Sequence, residues 1–342
     1  MVSASTTSQP GSVGLARELV APALRAAVGR LGPGMARVAG YHQGWLDASG
    51  QPVQASGGKA LRPALALLSA RAAGAAAEAA VPAAVAVELV HNFSLLHDDV
   101  MDGDAERRHR PTAWAVFGTS SAILAGDALL TAALETLLDV PVAGARPAAR
   151  RLGAATQRLV CGQAADLGFE QRSDVSLQEC LAMARDKTSA LLSCASSIGA
   201  VLVGAEPALV DGLAAFGEHL GTAFQVVDDL LGIWGTPDLT GKPVLSDLRS
   251  RKKSLPVVAA LCATGSAAGE LAELYFRSSP LDEDELRRAA VLVERAGGRG
   301  WAERLAEDEV SSAERCLAGL NLPLQIHDEF REIARFARDR DR

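Results

Sequence analysis

The sequence predicts an all-α fold, and three observations carry that prediction. Apolar residues recur at three-to-four spacing through most of the 342 residues, the period of one helix face. Ala and Leu are abundant while Phe, Trp and Tyr together make up 4%, a balance that favours packed helices over sheet. No alternation of apolar and polar residues is long enough to propose a strand. With 49% of residues apolar, ten or more helices can bury a substantial core.

The opening MVSASTTSQPGS is polar and small, without the apolar centre of a signal peptide, so residues 1–14 are expected to form a disordered tail. Length alone would allow two domains, but no linker separates the later segments, and one domain over 15–342 is expected. Helix breaks are expected at Gly32-Pro33-Gly34, Pro141 to Pro147, Gly204 to Pro207, Gly235 to Pro243 and Ser278 to Pro280. The most apolar stretch, Ala72 to Val90, is interrupted by Glu78, Pro82 and Glu88, which suits a buried helix pair better than a membrane span. From Glu283 to Ala296 the apolar stripe is Leu286, Ala289, Ala290 and Val293, with Asp282 as N-cap and Gly297-Gly298 as the stop.

A net charge of −7 argues against a general nucleic-acid binder. The five cysteines, Cys161, Cys180, Cys194, Cys262 and Cys316, are odd in number, far apart and without CxxC spacing. A reduced, cytoplasmic setting is expected rather than a disulfide framework.

Two acidic clusters lie in apolar, helix-like surroundings: Asp98, Asp99 and Asp102, then Asp228 and Asp229. Burying so many carboxylates is costly unless cations share the site. On a helix Asp98 and Asp102 share a face, so their oxygens can converge on a hard cation such as Mg²⁺. A solvated acidic face is the plain alternative, but the preceding Val85 to Leu96 carries only Glu88 as a carboxylate. Arg107 and Arg108 follow as a candidate diphosphate clamp. In the second cluster Gln225 and Asp228, three apart, are expected on one face. A basic run, Lys242 and then Arg249, Arg251, Lys252 and Lys253, is placed to cap the same anion. Upstream, Lys59 and Arg62 follow Gly57-Gly58, an arrangement suited to a second anionic group and distinct from a P-loop.

Taken together, GGKALRP, HDDVMDGDAERRHRPTAW, GQAAD, DKTSALL, FQVVDD and KKSLP, in that order, resemble the trans-polyprenyl diphosphate synthases. The resemblance in motif content runs from about Ala55 to Pro256. It implies a single-domain isoprenoid synthase type I fold around a central cavity, and Mg²⁺-dependent condensation of isopentenyl diphosphate with an allylic diphosphate. By the same resemblance Lys59, Arg62, His91 and Arg108 would bind isopentenyl diphosphate, while Arg107, Lys187, Lys242 and Lys252 would bind the allylic diphosphate. Asp98 and Asp102, with Asp166 nearby, would hold two Mg²⁺ ions, and Asp228 a third. Thr188 and Gln225 would face the developing allylic cation. His97 has no such counterpart and reads as a packing residue or one that supports a neighbour of the site.

The second motif departs from the family's DDxxD, because its last position is Gly232. The third ion is still expected at Asp228, with Asp238 or Asp247 placed to compensate. Product length is implied by Ser94 and Phe93, four and five residues before Asp98: a small residue above a bulky one resembles enzymes that stop at twenty carbons. The first motif also lacks the two-residue insertion of typical bacterial fifteen-carbon enzymes. Geranylgeranyl diphosphate is therefore the expected product, with a farnesyl or longer product and a class I terpene cyclase as alternatives. A cyclase would not need Lys59, Arg62 and Arg108, and a non-catalytic paralogue would have lost the first aspartate motif. A homodimer is implied by the resemblance alone.

Overall fold

Helix α10, Pro207–Trp234, ties the molecule together because three apolar clusters use different parts of it. Leu213, Phe216 and Leu220 enter the largest cluster, Val226 and Val227 a second, and Ile233 a third. Pro207 at its first turn suits a helix start, since the missing N–H would have no partner there anyway. Gly235 ends it in extended backbone, at the break the sequence predicts.

The structure, a computed structural model, describes residues 10–53, 60–236, 244–277 and 279–338. Ahead of α10 come α1 (Gly11–Gly29), α2 (Pro33–His42), α3 (Leu61–Ala72), α4 (Val81–Met101), α5 (Ala113–Phe117), α6 (Thr119–Leu138), α7 (Ala145–Glu170), α8 (Leu177–Ala184) and α9 (Ala190–Leu202). After it come α11 (Ser246–Arg249), α12 (Leu255–Leu261), α13 (Ser266–Phe276), α14 (Glu283–Arg295), α15 (Gly298–Ala318) and α16 (Leu324–Arg338). The predicted all-α class is the observed one. α10 lies against α9 and α15, and α4 against α3 and α6, so both acidic clusters ride on helices held from several sides. α14 starts as expected: the Asp282 side chain accepts from the N–H groups of Asp284 and Glu285, and Glu285 returns the contact in a capping box.

Three local readings differ from expectation. The tail expected to reach residue 14 is already helical at Gly11, with Ser12 and Val13 buried, because Val13 opens the apolar stripe continued by Ala16, Val20 and Leu24. The stretch 72–90 is not a simple helix pair. It holds the end of α3, a 3₁₀ turn at Ala77–Ala80 and the first half of α4, which runs on to Met101. A two-strand hairpin, β1 (Glu106–Arg107) with β2 (Arg110–Pro111), was too short to leave an alternating pattern.

By length and composition alone, two helices among the described residues could cross a membrane, Ala77–Met101 and Thr119–Leu138. The most apolar window of the first is 67% buried inside the structure, that of the second 39%. α4 is therefore a core helix, whereas α6 turns Ile123, Leu124 and Leu138 outward.

Candidate active site

The last turns of α4 present the first acidic cluster. Asp99 is buried, and Arg107 on the hairpin reaches back to place Nε 2.6 Å from its Oδ1. Asp98 is half-buried, and Asp102 caps the helix end with its N–H on the Asp98 carbonyl. Burial pushes the Asp98 carboxyl up to about 6; Lys187 pulls against this and Asp102 adds to it. The anion at Asp98 is thus poorly compensated by the protein alone.

Lys187 comes from a widened turn, Arg185–Ser189, in which the backbone bonds skip five residues instead of four. Its Nζ lies 2.5 Å from Oδ2 of Asp166 on α7. The turn can sit this deep because its neighbours have no side chains at the contact. A Cβ on Gly162 of α7 would lie 2.2 Å from the Lys187 nitrogen, and one on Gly221 of α10 would lie 2.4 Å from the Ser189 Cα.

Next along the turn, the Thr188 hydroxyl donates to Gln225 Oε1 at 2.5 Å. Gln225 Nε2 in turn donates to Asp229 Oδ1 at 2.7 Å, and the Leu255 N–H donates to Asp229 Oδ2 at 2.8 Å. The Gln225 amide thus bonds to Asp229, one residue beyond the Asp228 expected to share its face. The bond spans four residues, and Asp228 points out to solvent while Asp229 is buried. Burial pushes the Asp229 carboxyl up to about 7, against the pull of Lys252. Burial lowers the Lys252 ammonium, but Asp247, Asp229, Asp166 and Asp228 together outweigh that and hold it above its ordinary value.

A cationic cluster adjoins the first acidic one. Arg62 at the start of α3 points Nη1 at His91 Nε2 on α4, 3.3 Å away. A guanidinium only donates, so that imidazole nitrogen accepts and the ring is neutral. Burial, then Arg62, Arg108 and Arg107, hold His91 well below its ordinary value. His42, at the end of α2, was not singled out in the sequence. Burial and then Arg107, Arg108 and Arg110 pull it down to about 3. Arg108 retains solvent exposure, yet partial desolvation and its neighbour Arg107 lower it, with Glu88 and Asp99 opposing. Arg108 and His109 both have positive φ, 53° and 59°, as the tight hairpin turn demands. Such backbone is costly for large side chains and here it aims arginines into the cluster. Basic groups that depress one another this way await an anion.

The candidate metal ligands are all carboxylates carried by three different helices: Asp98 on α4 with Asp102 capping its end, Asp166 on α7 and Asp228 on α10. Among the described residues no three His, Cys, Asp or Glu are already gathered around one point. Such openness fits Mg²⁺, which takes one or two carboxylates and completes its octahedron with water and phosphate oxygens. Lys59, Lys242 and Asp238 lie outside the described residues. Below the cluster, Phe93 and Ser94 are buried, and the Phe93 ring meets His97 edge-on at 4.8 Å. His97 packs as expected, with Nε2 2.9 Å from the Ile123 carbonyl.

A profile described as Polyprenyl synthetase matches residues 43–293. A (2E,6E)-farnesyl diphosphate synthase of Mycobacterium tuberculosis is 49% identical over 331 residues, covering 96% of this chain and 92% of the relative. A geranylgeranyl diphosphate synthase of the same organism is 45% identical over 299 residues, covering 87% and 85%. Among solved structures, a polyprenyl synthetase from Streptomyces coelicolor superposes with a TM-score of 0.91 at 53% identity, over 95% of this chain and 98% of that one. A geranylgeranyl pyrophosphate synthetase from Pyrococcus horikoshii does so at 0.84 and 28% identity, over 96% and 98%.

Proposed function

Because the chain belongs to the polyprenyl synthetase family, and is thereby a trans-prenyltransferase, we propose that it joins isopentenyl diphosphate to allylic diphosphates up to geranylgeranyl diphosphate. One observation carries the reading: a carboxylate cluster and a cationic cluster abut, joined by the Asp99–Arg107 pair. Two diphosphates fit that arrangement, one reached through cations bound to the carboxylates and one held by basic groups directly.

Mg²⁺ would be held by Asp98, Asp102, Asp166 and Asp228, and when bound would neutralise charge growing on the leaving diphosphate. Arg107, Lys187 and Lys252, with Lys242, would hold the allylic diphosphate. Arg62, His91 and Arg108, with Lys59, would hold that of isopentenyl diphosphate. As the allylic C–O bond breaks, Thr188 and Gln225 would face the cation. The Thr188 proton is committed to Gln225 and one Gln225 amide proton to Asp229, which leaves oxygen lone pairs of Thr188 and Gln225 for the cation. The isopentenyl double bond would then attack the cation, the released diphosphate would take the proton that re-forms a double bond, and five carbons would be added. Water must be excluded, since it would trap the cation.

Phe93 and Ser94 support a twenty-carbon product: the chain grows past the small serine and meets the buried ring. The 49% identical relative named as a farnesyl diphosphate synthase favours a second reading, a product five carbons shorter. The outward face of α6, with Ile123, Leu124 and Leu138, supports a homodimer closed by a second copy of this helix. The test is incubation with Mg²⁺, isopentenyl diphosphate and dimethylallyl, geranyl or farnesyl diphosphate in turn, followed by product chromatography. Geranylgeranyl diphosphate as end product is expected, arrest at farnesyl diphosphate supports the second reading, and a hydrocarbon formed without isopentenyl diphosphate refutes both.

A further inference from the structure

The widened turn Arg185–Ser189 lies against both α7 and α10, between two stripes of side chains. Arg158, Gly162 and Asp166 stand four residues apart on α7 and so share a face. Asp166 takes the Lys187 ammonium, and Gly162 leaves room for the Lys187 backbone. On α10, Glu218, Thr222 and Gln225 likewise share a face. Gln225 accepts from Thr188, and the Thr222 and Ser189 hydroxyls meet at 3.1 Å. Arg158 and Glu218 complete the two stripes.

These last two meet each other. Nη1 and Nη2 of Arg158 donate to the two Glu218 carboxylate oxygens at 3.2 and 2.8 Å, and Nε donates to Asp186 Oδ1 at 2.7 Å. One guanidinium thus ties α7 to α10 and to the turn, at the residue just before Lys187. Arg158, Asp186 and Glu218 are all partly exposed, so the pairing adds little stability. What a rigid fork supplies is geometry, the standing of three segments relative to one another. Arg185 goes elsewhere: it pairs at 3.6 Å with buried Glu309 of α15, whose other oxygen lies 2.6 Å from His219 Nδ1. The two leading residues of the turn are therefore anchored to different helices, while Lys187 and Thr188 face the site.

We infer that Arg158 is a positioning residue for the allylic half of the reaction. It sets the gap between α7 and α10 and, through Asp186, the reach of Lys187 and Thr188. Its hydrogen bonds run to the turn and to α10, away from the Arg62, His91 and Arg108 cluster. Its loss should therefore be felt at one substrate and not at the other. This rests on the proposed function, because the allylic diphosphate is what Lys187 is there to hold.

The test is steady-state condensation of isopentenyl diphosphate with geranyl diphosphate by the full-length protein in Mg²⁺, with KM taken for each substrate. Arg158→Gln is expected to lower kcat about tenfold and raise KM for geranyl diphosphate about fivefold, leaving KM for isopentenyl diphosphate within about twofold. A simple loss of folded protein would move neither KM. Arg172→Gln is the control, since Arg172 also bridges two carboxylates, Asp174 and Glu179, but away from the turn. It is expected to stay within about twofold of wild type throughout. Asp186→Asn should reproduce the split, and the Arg158→Gln/Asp186→Asn protein should lie within about threefold of the worse single variant, because both act through one bridge. Arg158→Gln with wild-type constants overturns the inference. So does an equal rise in both KM values, an equal loss in Arg172→Gln, or a double variant as weak as the product of the two singles. If Arg158→Gln fails to fold, Asp186→Asn decides by the same split. Wild type that does not condense the two substrates would instead overturn the proposed function, and this inference with it.

Discussion

Gly162→Ala is the sharpest probe of how the widened turn is held. The new methyl carbon would start 2.2 Å from the Lys187 nitrogen, 2.7 Å from its Cα and 2.8 Å from the Asp186 carbonyl carbon. All three are backbone atoms of another segment, so no side chain can swing aside, and the turn or α7 must move by about 1 Å to reach ordinary carbon contact. Overpacking of this kind costs about 1–3 kcal/mol, here at the upper end, and the better helix propensity of alanine returns up to ~1 kcal/mol. A net loss of about 2 kcal/mol would lower the melting temperature by roughly 4 °C in a chain of this size. Turnover should suffer more than stability, because a shift of about 1 Å at a positioning group can cost on the order of 100-fold. Gly153→Ala supplies the control, since it lies in the same helix with nothing within 4 Å of its added Cβ. Thermal melts and kcat for the two variants, side by side, are the assay. If Gly162→Ala matches Gly153→Ala in both, the clamp is not what sets Lys187.

Four further outcomes are expected. Asp98 must be ionised to bind a cation and its carboxyl stands at about 6, so Mg²⁺ affinity measured calorimetrically should rise from pH 5 to 7 and then level off. An Asp98→Asn protein retaining that rise would contradict this. Without metal the sign for stability is the reverse: the raised Asp98 and Asp229 carboxyls favour the fold below about pH 4, a contribution lost as pH climbs through about 6 and 7. Melts of Asp229→Asn should therefore depend less on pH in that window than those of wild type. Asp228→Ala, at an exposed position, should change stability by less than about 0.5 kcal/mol yet abolish Mg²⁺-dependent turnover, and unchanged turnover removes Asp228 from the metal ligands. Phe93→Ala should give longer products by chromatography; products of the same length would take Phe93 out of the pocket floor.

Much of the helix order was legible because its punctuation is local. Pro33, Pro207, Gly235 and Asp282 each act on the backbone next to them, and each marks a helix end in the structure. The acidic and basic motifs were legible for the same reason, as short strings on single helices. The contacts between strings were not. Asp228 and Asp229 are adjacent in sequence, and only the packing of α12 decides which is buried, through the Leu255 N–H on Asp229. The four-residue spacing of Gln225 and Asp229 was an available sign that went unused. His42 gave no sign at all: α2 packs on α6, which lies against α4, and that brings His42 to Asn92 and His91 of α4.

The glycine-flanked turn has a consequence for how the enzyme must open and close. Asp166 on α7, Lys187 and Thr188 on the turn, and Gln225 on α10 are joined by direct bonds across contacts that leave no room for a methyl group. Those groups can only travel as one rigid block. Among the described residues the Arg107–Arg110 hairpin is anchored differently, to α4 by the Asp99–Arg107 pair and to the end of α2 and the turn beyond it by Tyr41 on the Pro111 carbonyl and Arg110 on the Leu46 carbonyl. The Lys187 side of the site is therefore an anvil, set before any ligand arrives.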